Sequence, residues 1–501
     1  MPKLLRLLVP VLTAAAALAQ THAGISPFIH PADSEPGSVS DPSPSDPRTL
    51  AHSVLKQLIE TNTTDSVGST TAAATAMRDR FLAAGFPEQD LALVEPTPRR
   101  GNLVVRFRGP ANARSKPVLI ICHLDVVEAR REDWTTDPFQ LIEKDGYFYG
   151  RGTQDMKSSD AVLVSDLIRL KHDGFTPDRD IILALTAGEE SGEANGVDYL
   201  TQHRRDLVDA AFVLNPDSGG IATENGKPVA VEVEATEKLY ADFQLTSHNP
   251  GGHSSLPVPD NAIYHIADAL AHLQHYQFPF ELNPVTRVYF ERMAAVEKGQ
   301  AAEDMRAILK NPPALDAVEL LSHDARFNST MRTTCVATRL SGGHANNALP
   351  QTAGGIVNCR ILPGHSAEEV RQDVMKIFAD PAVTVRYVDS ATDKLLDRAP
   401  DKKSLPPPPP LPAVFEPLQS VAAQMWPGAP IIPEMETGAS DSVYTMAQGI
   451  PSYGVSGLAV DRNDVRAHGK DERIRITAFY DDLEFYYRYL KALTSGRQDP
   501  R

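Results

Sequence analysis

The sequence predicts an α/β protein in which a smaller ferredoxin-like domain interrupts a larger one. Three observations carry this. Short apolar runs alternate with helical stretches up to about residue 235, the order then changes to β-α-β-β-α-β, and α/β character returns after a run of prolines. At 501 residues the chain is too long for one compact core and fits two domains.

Taken from the start, "MPKLLRLLVPVLTAAAALAQTHAG" sets Lys3 and Arg6 before an apolar run that ends in small residues, the pattern of a secretory signal over residues 1–23. Cleavage is expected after Ala19 or Ala23. The run falls short of the roughly 20 apolar residues of a membrane span, and no later stretch is long enough. An exported protein without a stable membrane span is expected, periplasmic or secreted. A strap rich in Pro, Ser and Asp follows at 24–47.

The large domain's first part, 48–235, opens with helical patterns in "TLAHSVLKQLIE" and "TTAAATAMRDRFLAAG", the second closing on Gly85. Strands are expected at "NLVVRFRG", "PVLIICHLD", "DIILAL" and "AAFVLN", with helices near "SSDAVLVSDLIRLKHDG" and "GVDYLTQHRRDL" between them. Near-continuous apolar strands indicate a sheet covered on both faces, which binds ligands at the C-terminal ends of its strands. The smaller domain, 236–390, runs from "LYADFQLTS" through an amphipathic helix, two strands that could pair as a hairpin, a second helix and "AVTVRYV". A mostly helical insertion at about 277–328 has no purpose that its residues reveal. The last part, 391–501, contains the spacer "SLPPPPPLPAV", expected to be neither helix nor central strand, and ends in the amphipathic "TAFYDDLEFYYRYLKAL".

A composition of 42% hydrophobic and 23% charged residues is ordinary for a globular protein. A net charge of -16 argues against nucleic acid, whose phosphates need clustered Lys and Arg. Cys122, Cys335 and Cys359 are too few for a disulfide framework. Cys335 and Cys359 fall in the two possible hairpin strands, so either a bridge or two buried thiols fits.

Chemistry concentrates where strands end. "PVLIICHLDVV" closes on His123 and Asp125, two apart and so on one face. "GRGTQDMKSSDA" puts Asp155 in a Gly-rich turn before a helix, and "LTAGEESGEANG" sets Glu189 beside Glu190 after an apolar strand. "AAFVLNPDSGG" ends at Asp217, and "DVRAHGKDE" supplies His468 before the closing helix. Singly, each has a plain alternative as a hydrogen-bonded histidine, a helix cap or a turn residue. Jointly, two imidazoles and several carboxylates match the ligand types of a two-zinc hydrolase. Two adjacent glutamates are costly to bury unless a cation offsets their charge.

The blocks "HLDVV", "GYFYGRGTQDMK", "TAGEESG", "NPDSGG" and "HGKDE", in this order and spacing, resemble the dizinc aminoacylase and carboxypeptidase family, which includes glutamate carboxypeptidase, carnosinase, acetylornithine deacetylase and succinyl-diaminopimelate desuccinylase. The resemblance implies a large zinc-hydrolase domain with a central mixed sheet and a lid. It makes His123 and Asp217 ligands of one Zn²⁺, Glu190 and His468 ligands of the other, and Asp155 the bridge; Co²⁺ or Mn²⁺ can replace zinc. Asp125 resembles the carboxylate that orients His123, and Glu189 resembles the general base. On the lid, His253 in "NPGGHSSLP" and Asn347 in "GGHANNALPQ" resemble oxyanion donors, and Arg360 in "VNCRILPG" resembles the cation that grips a substrate carboxylate. "TGASDSVY" stands in the place of the family's substrate-contacting loop.

Three features depart from the family pattern. Cys122 replaces a frequent glycine and suits burial better than metal ligation, Glu128 replaces a frequent proline, and "GASDS" differs from the commoner loop. Asp217, where glutamate-releasing relatives usually carry Glu, leans towards an aminoacylase or a broader carboxypeptidase. The expected reaction is hydrolysis of a peptide or N-acyl amino acid, releasing an amino acid with a free carboxylate. A homodimer through the lid is possible. A two-metal aminopeptidase, which has less use for Arg360, and a non-catalytic peptide or metal binder, which has no use for Glu189, are the alternatives.

Overall fold

The computed structural model describes residues 46–496, apart from 193, 390, 391, 393, 402, 404–406 and 409. The expected signal and nearly all of the strap lie outside the described residues. The first two helices, Pro47–Glu60 and Thr70–Ala83, start at side-chain caps supplied by Asp46 and Ser69.

Ten strands make one large sheet. Across it run Leu91–Val94, Asn102–Phe107, Ile181–Thr186, Val118–His123, Phe212–Asn215, Ser452–Gly454, Lys227–Glu237, Gly220–Glu224 and Ala459–Asp461, with Ile431–Glu436 paired to Lys227–Glu237. The sheet is mixed. Val118–His123 is parallel to Ile181–Thr186 and Phe212–Asn215, whereas Asn102–Phe107 is antiparallel to Ile181–Thr186. Every residue of Val118–His123 and Ile181–Thr186 is buried, and alternate side chains enter two different cores. Ile120 and Cys122 pack with the helices Lys157–His172 and Ile476–Leu493, while Leu119 and Ile121 pack with Val197 and Leu200 of Gly196–His203. A period-two strand with apolar residues at both phases has no polar face, so it is stable only between helical layers.

The second sheet has the order Thr334–Gly342, Thr352–Ile361, Leu239–His248, Val383–Asp389, Lys394–Leu396, with every neighbouring pair antiparallel. Helices Ala262–Gln274 and Ala367–Phe378 cover one face. This is the ferredoxin-like arrangement with one added edge strand. Cys335 and Cys359 stand directly opposite each other in adjacent strands and form a disulfide. Of the two readings left open, the bridge is therefore the one realised.

The insertion folds into four helices, Pro284–Val296, Gln300–Ile308, Leu315–Leu321 and Ala325–Met331. Their apolar residues, Tyr289, Phe290 and Met293 among them, form a core with Ala222, Ala230 and Ile432 of the large sheet. The insertion thus leaves the chain of the small sheet but buries its apolar side on the large one. It covers the outlying strand Ile431–Glu436, an edge that would otherwise expose apolar surface.

One expectation is corrected at the proline run. Its final "PAV" is helical, because Pro412 opens the helix Pro412–Met425. A proline at the first helical position loses no hydrogen bond that the helix would have made. Among the described residues, no helix is long and apolar enough to cross a membrane.

Candidate metal centre

Three parallel strands of the large sheet end side by side, and their first residues beyond the sheet carry the chemistry. His123 closes its strand and Asp125 lies two residues on. Glu189 and Glu190 follow the strand that ends at Thr186, and Asp217 follows the one that ends at Asn215. Parallel alignment brings these loops to one edge.

Asp155 comes from the turn before Lys157–His172, and a buried carboxylate holds that turn. Glu472 accepts hydrogen bonds from the backbone N–H of Gly152, of Gln154 at 2.7 Å and of Asp155 at 3.1 Å. Its partner Arg151 donates to Glu472 Oε2 at 2.5 Å and to the Gly469 carbonyl at 3.0 Å. The pair therefore ties the turn of Asp155 to the loop of His468. Both residues stand inside sequence blocks noted above, "GRG" and "HGKDE", but nothing in a linear sequence says that an arginine and a glutamate so far apart will meet.

The ligand-type atoms converge. His123 Nε2 lies 3.1 Å from Asp155 Oδ1 and 3.4 Å from Asp217 Oδ1. His468 Nε2 lies 3.1 Å from Asp155 Oδ2 and 3.0 Å from Glu190 Oε2. Asp155 therefore turns one oxygen to each imidazole. His123, Glu189 and Asp217 form one group whose ligand-type atoms lie within 4.8 Å of one another, and His123, Asp155 and Glu190 form a second.

Asp125 meets His123 and the glutamate turn with different groups. Its carboxylate is 3.9 Å from His123 Nδ1, beyond hydrogen-bond range, whereas its backbone carbonyl is 3.0 Å from that nitrogen. The carboxylate instead accepts from the backbone N–H of Gly188 at 2.8 Å, Glu189 at 3.3 Å and Glu190 at 3.0 Å. Residue 125 thus orients the imidazole with its main chain and shapes the glutamate turn with its side chain.

The electrostatics are those of crowded acids around two imidazoles. Burial pushes both Glu189 and Glu190 up, Glu189 well above the carboxylate range, and neighbouring acids add to it. Burial opposes charge on His123, but Asp217 and Asp155 outweigh it and hold the imidazole well above its ordinary value. Hydrogen bonds to Asp155 and Glu190 push His468 up to about 10. Without cations, such a cluster is neutralised only by retaining protons. Glu190 Oε1 is buried and makes no hydrogen bond. Two imidazoles and four carboxylates, one of them with an orphaned oxygen, form a donor set suited to divalent metal.

Cys122 takes no part in this set. Its side chain lies in the apolar core, and burial pushes its thiol well above the ordinary range.

The lid residues are placed differently. His253 and Asn347 meet through a short ladder in which His253 pairs with Ala348 and Ser254 N–H donates to the Asn347 carbonyl at 3.1 Å. His253 is exposed, and its Nδ1 accepts from Ser255 Oγ at 2.8 Å. Arg360 stacks over the Tyr240 ring at 4.6 Å and donates to Asn358 Oδ1 at 3.3 Å. These contacts run within the lid, not to the imidazole and carboxylate cluster.

The sequence profile described as Peptidase family M20/M25/M40 matches residues 119–492, most of the chain and all of the cluster. The chain belongs to peptidase family M20/M25/M40. It is a hydrolase of peptide and amide bonds, and the M20 fold accounts for the large sheet with its interrupting lid. Similar curated proteins include a probable carboxypeptidase S-like 2 of Dictyostelium discoideum, 26% identical over 82% of this chain and 78% of that protein. The N-fatty-acyl-amino acid synthase/hydrolase PM20D1 of Xenopus tropicalis is 29% identical over 75% of this chain and 72% of its own length. Among solved structures, the M20 metallo-carboxypeptidase Sso-CP2 from Sulfolobus solfataricus superposes with a TM-score of 0.66 at 17% identity, covering 89% of this chain and 99% of the other.

Proposed function

We propose that this M20 hydrolase is exported, holds two Zn²⁺ ions, and cleaves peptides or N-acyl amino acids to release an amino acid with a free carboxylate. The observation that carries the reading is Asp155, whose two oxygens face His123 and His468 at 3.1 Å each. In this reading His123, Asp155 and Asp217 would hold one ion, and Asp155, Glu190 and His468 the other. Co²⁺ or Mn²⁺ fits the same donors. Bound there, the ions would supply Lewis acidity, which lowers the pKa of a water towards neutrality and polarises an amide carbonyl.

The chain's own residues do the rest. Glu189, whose N–H is fixed by Asp125, takes the water proton and delivers it to the departing nitrogen. His253 and Asn347 are proposed to donate to the developing oxyanion, and Arg360 to grip the substrate carboxylate as a planar two-pronged donor. The carboxypeptidase and N-acyl amino acid hydrolase relatives support this substrate class over an aminopeptidase. A homodimer through the lid belongs to the same reading.

Glu189→Gln tests the core of it. The variant is expected to keep two ions per chain by elemental analysis and to lose roughly 10²–10⁴ in kcat on an N-acyl amino acid; normal turnover would remove Glu189 from the role of base. A chelator is expected to abolish wild-type hydrolysis, and Zn²⁺ to restore it.

Export is supported by two independent features, the charged and apolar N-terminal run and the Cys335–Cys359 disulfide, which suits an oxidising compartment. The mass of the protein recovered outside the cytoplasm tests it. A chain shortened at Ala19 or Ala23 is expected, and full-length protein confined to the cytoplasm would end the proposal.

A further inference from the structure

The turn that carries the two glutamates is held from both sides, and only one side belongs to the metal-site residues already described. Asp125 takes its N–H groups. On the other side stands Asn195, which is buried and caps the helix Gly196–His203 by accepting from Asp198 N–H at 2.9 Å. The same side chain donates from Nδ2 to the Gly188 carbonyl at 3.3 Å and to Asp441 Oδ1 at 2.6 Å. Gly188 immediately precedes Glu189, so the Asp441–Asn195 bond fixes where the turn begins.

A second asparagine repeats the device on the neighbouring strand. Asn215 Oδ1 accepts from Asp217 N–H at 3.2 Å, and its Nδ2 donates to Ser440 Oγ at 3.2 Å and Ser442 Oγ at 3.1 Å. Ser440 in turn donates from N–H and Oγ to Glu237 Oε2 at 2.9 and 3.0 Å. Glu237 is the last residue of the large sheet before the chain crosses into the small one. Residues 440–442 are therefore the meeting point of the Glu189 turn, the Asp217 loop and the crossover. Asp441, Ser440, Asn195 and Asn215 are all buried.

We infer that Asp441 is a positioning residue for the reaction: through Asn195 it sets the place of Glu189, and through its neighbours Ser440 and Ser442 the same loop sets the place of Asp217. The inference rests on Glu189 being the base. The bond from Asn195 Nδ2 to Asp441 Oδ1 is short, 2.6 Å, and buried on both sides, so it holds the amide firmly. A proton acceptor displaced by about 1 Å costs on the order of 10²-fold in rate. Metal content is expected to survive the loss of Asp441, because Ser440 and Ser442 still hold Asn215 beside Asp217 and Asp125 still holds the Glu190 N–H.

Three variants test this beside Glu189→Gln, each assayed on an N-acyl amino acid with metal content measured on the same sample. Asp441→Ala is expected to keep two ions and a KM within about threefold of wild type while kcat falls roughly 10- to 100-fold. Asp441→Asn retains an oxygen that accepts from Asn195, and it is expected to recover most of the lost kcat. Asn195→Ser keeps a helix-cap oxygen but is too short to span Gly188 and Asp441, so it is expected to reproduce the selective loss in kcat. It carries the test if Asp441→Ala does not fold. Wild-type kcat in Asp441→Ala or in Asn195→Ser overturns the inference. So does an Asp441→Asn variant as slow as Asp441→Ala, or the loss of an ion, which would route the defect through the ligands. An inactive Glu189→Gln beside a normal Asp441→Ala sinks the inference alone, whereas a fully active Glu189→Gln sinks the reading beneath it.

Discussion

Single carboxylates in this protein are defined by which N–H groups point at them. Asp125 was legible in the sequence as a residue of the site, because it follows His123 by two at a strand end. Its partner was not, since the turn 188–190 reaches it only after two strands align in parallel. Glu368, on the helix Ala367–Phe378 of the lid, shows the same principle. It accepts two bonds from Arg371 at 2.8 Å each and one from Ala399 N–H at 2.8 Å, and the Arg371 bonds bring its carboxyl down to about 2. A depressed carboxyl stabilises the fold above its unfolded value near 4.5, and the gain is lost as pH falls from there through about 2. Glu368→Gln is therefore expected to lower the melting temperature at neutral pH, by the equivalent of about 2 kcal/mol. The gap to wild type should close as the pH approaches about 2. A gap that persists there would mean that the charge on Glu368 is not what stabilises.

At the scale of elements, the apolar strands and amphipathic helices were readable from periodicity, because burial on one face or two leaves different repeats in the chain. Three things were not. The insertion at about 277–328 reads as helical, yet its destination depends on an exposed strand edge contributed by residues 431–436, more than a hundred positions later. The helix Pro412–Met425 is masked by prolines that a first turn accepts. The disulfide needed a register: Cys335 and Cys359 are bonded because these strands pair with the two residues opposite, and a slip of one residue would turn them to opposite faces.

For the whole molecule, the lid presents an exposed edge. The edge strand Thr334–Gly342 is exposed from residue 336 onward, with Val336 60% and Leu340 69% accessible, and Tyr264 of the adjacent helix 59% accessible. The insertion packs on the large sheet and leaves this edge uncovered. An uncovered apolar edge strand favours pairing with a second copy. Light scattering is expected to give twice the chain mass at micromolar concentration, and Leu340→Glu to give the monomer with its metal content unchanged. A wild-type chain that stays monomeric at every concentration would exclude the lid edge as a dimer contact.

The sequence by itself determined the residue types of the centre and the strand ends that bear them, because ligand chemistry and apolar periodicity are both written locally. The blocks around His123, Asp155, Glu190, Asp217 and His468 were legible for that reason. Only the tertiary structure decided which oxygen faces which imidazole, and that Glu472, Arg151, Asn195 and Asp441 hold the loops in place. Those residues act through hydrogen bonds between segments up to 321 positions apart, and such bonds exist only once strand order and register have brought the segments together.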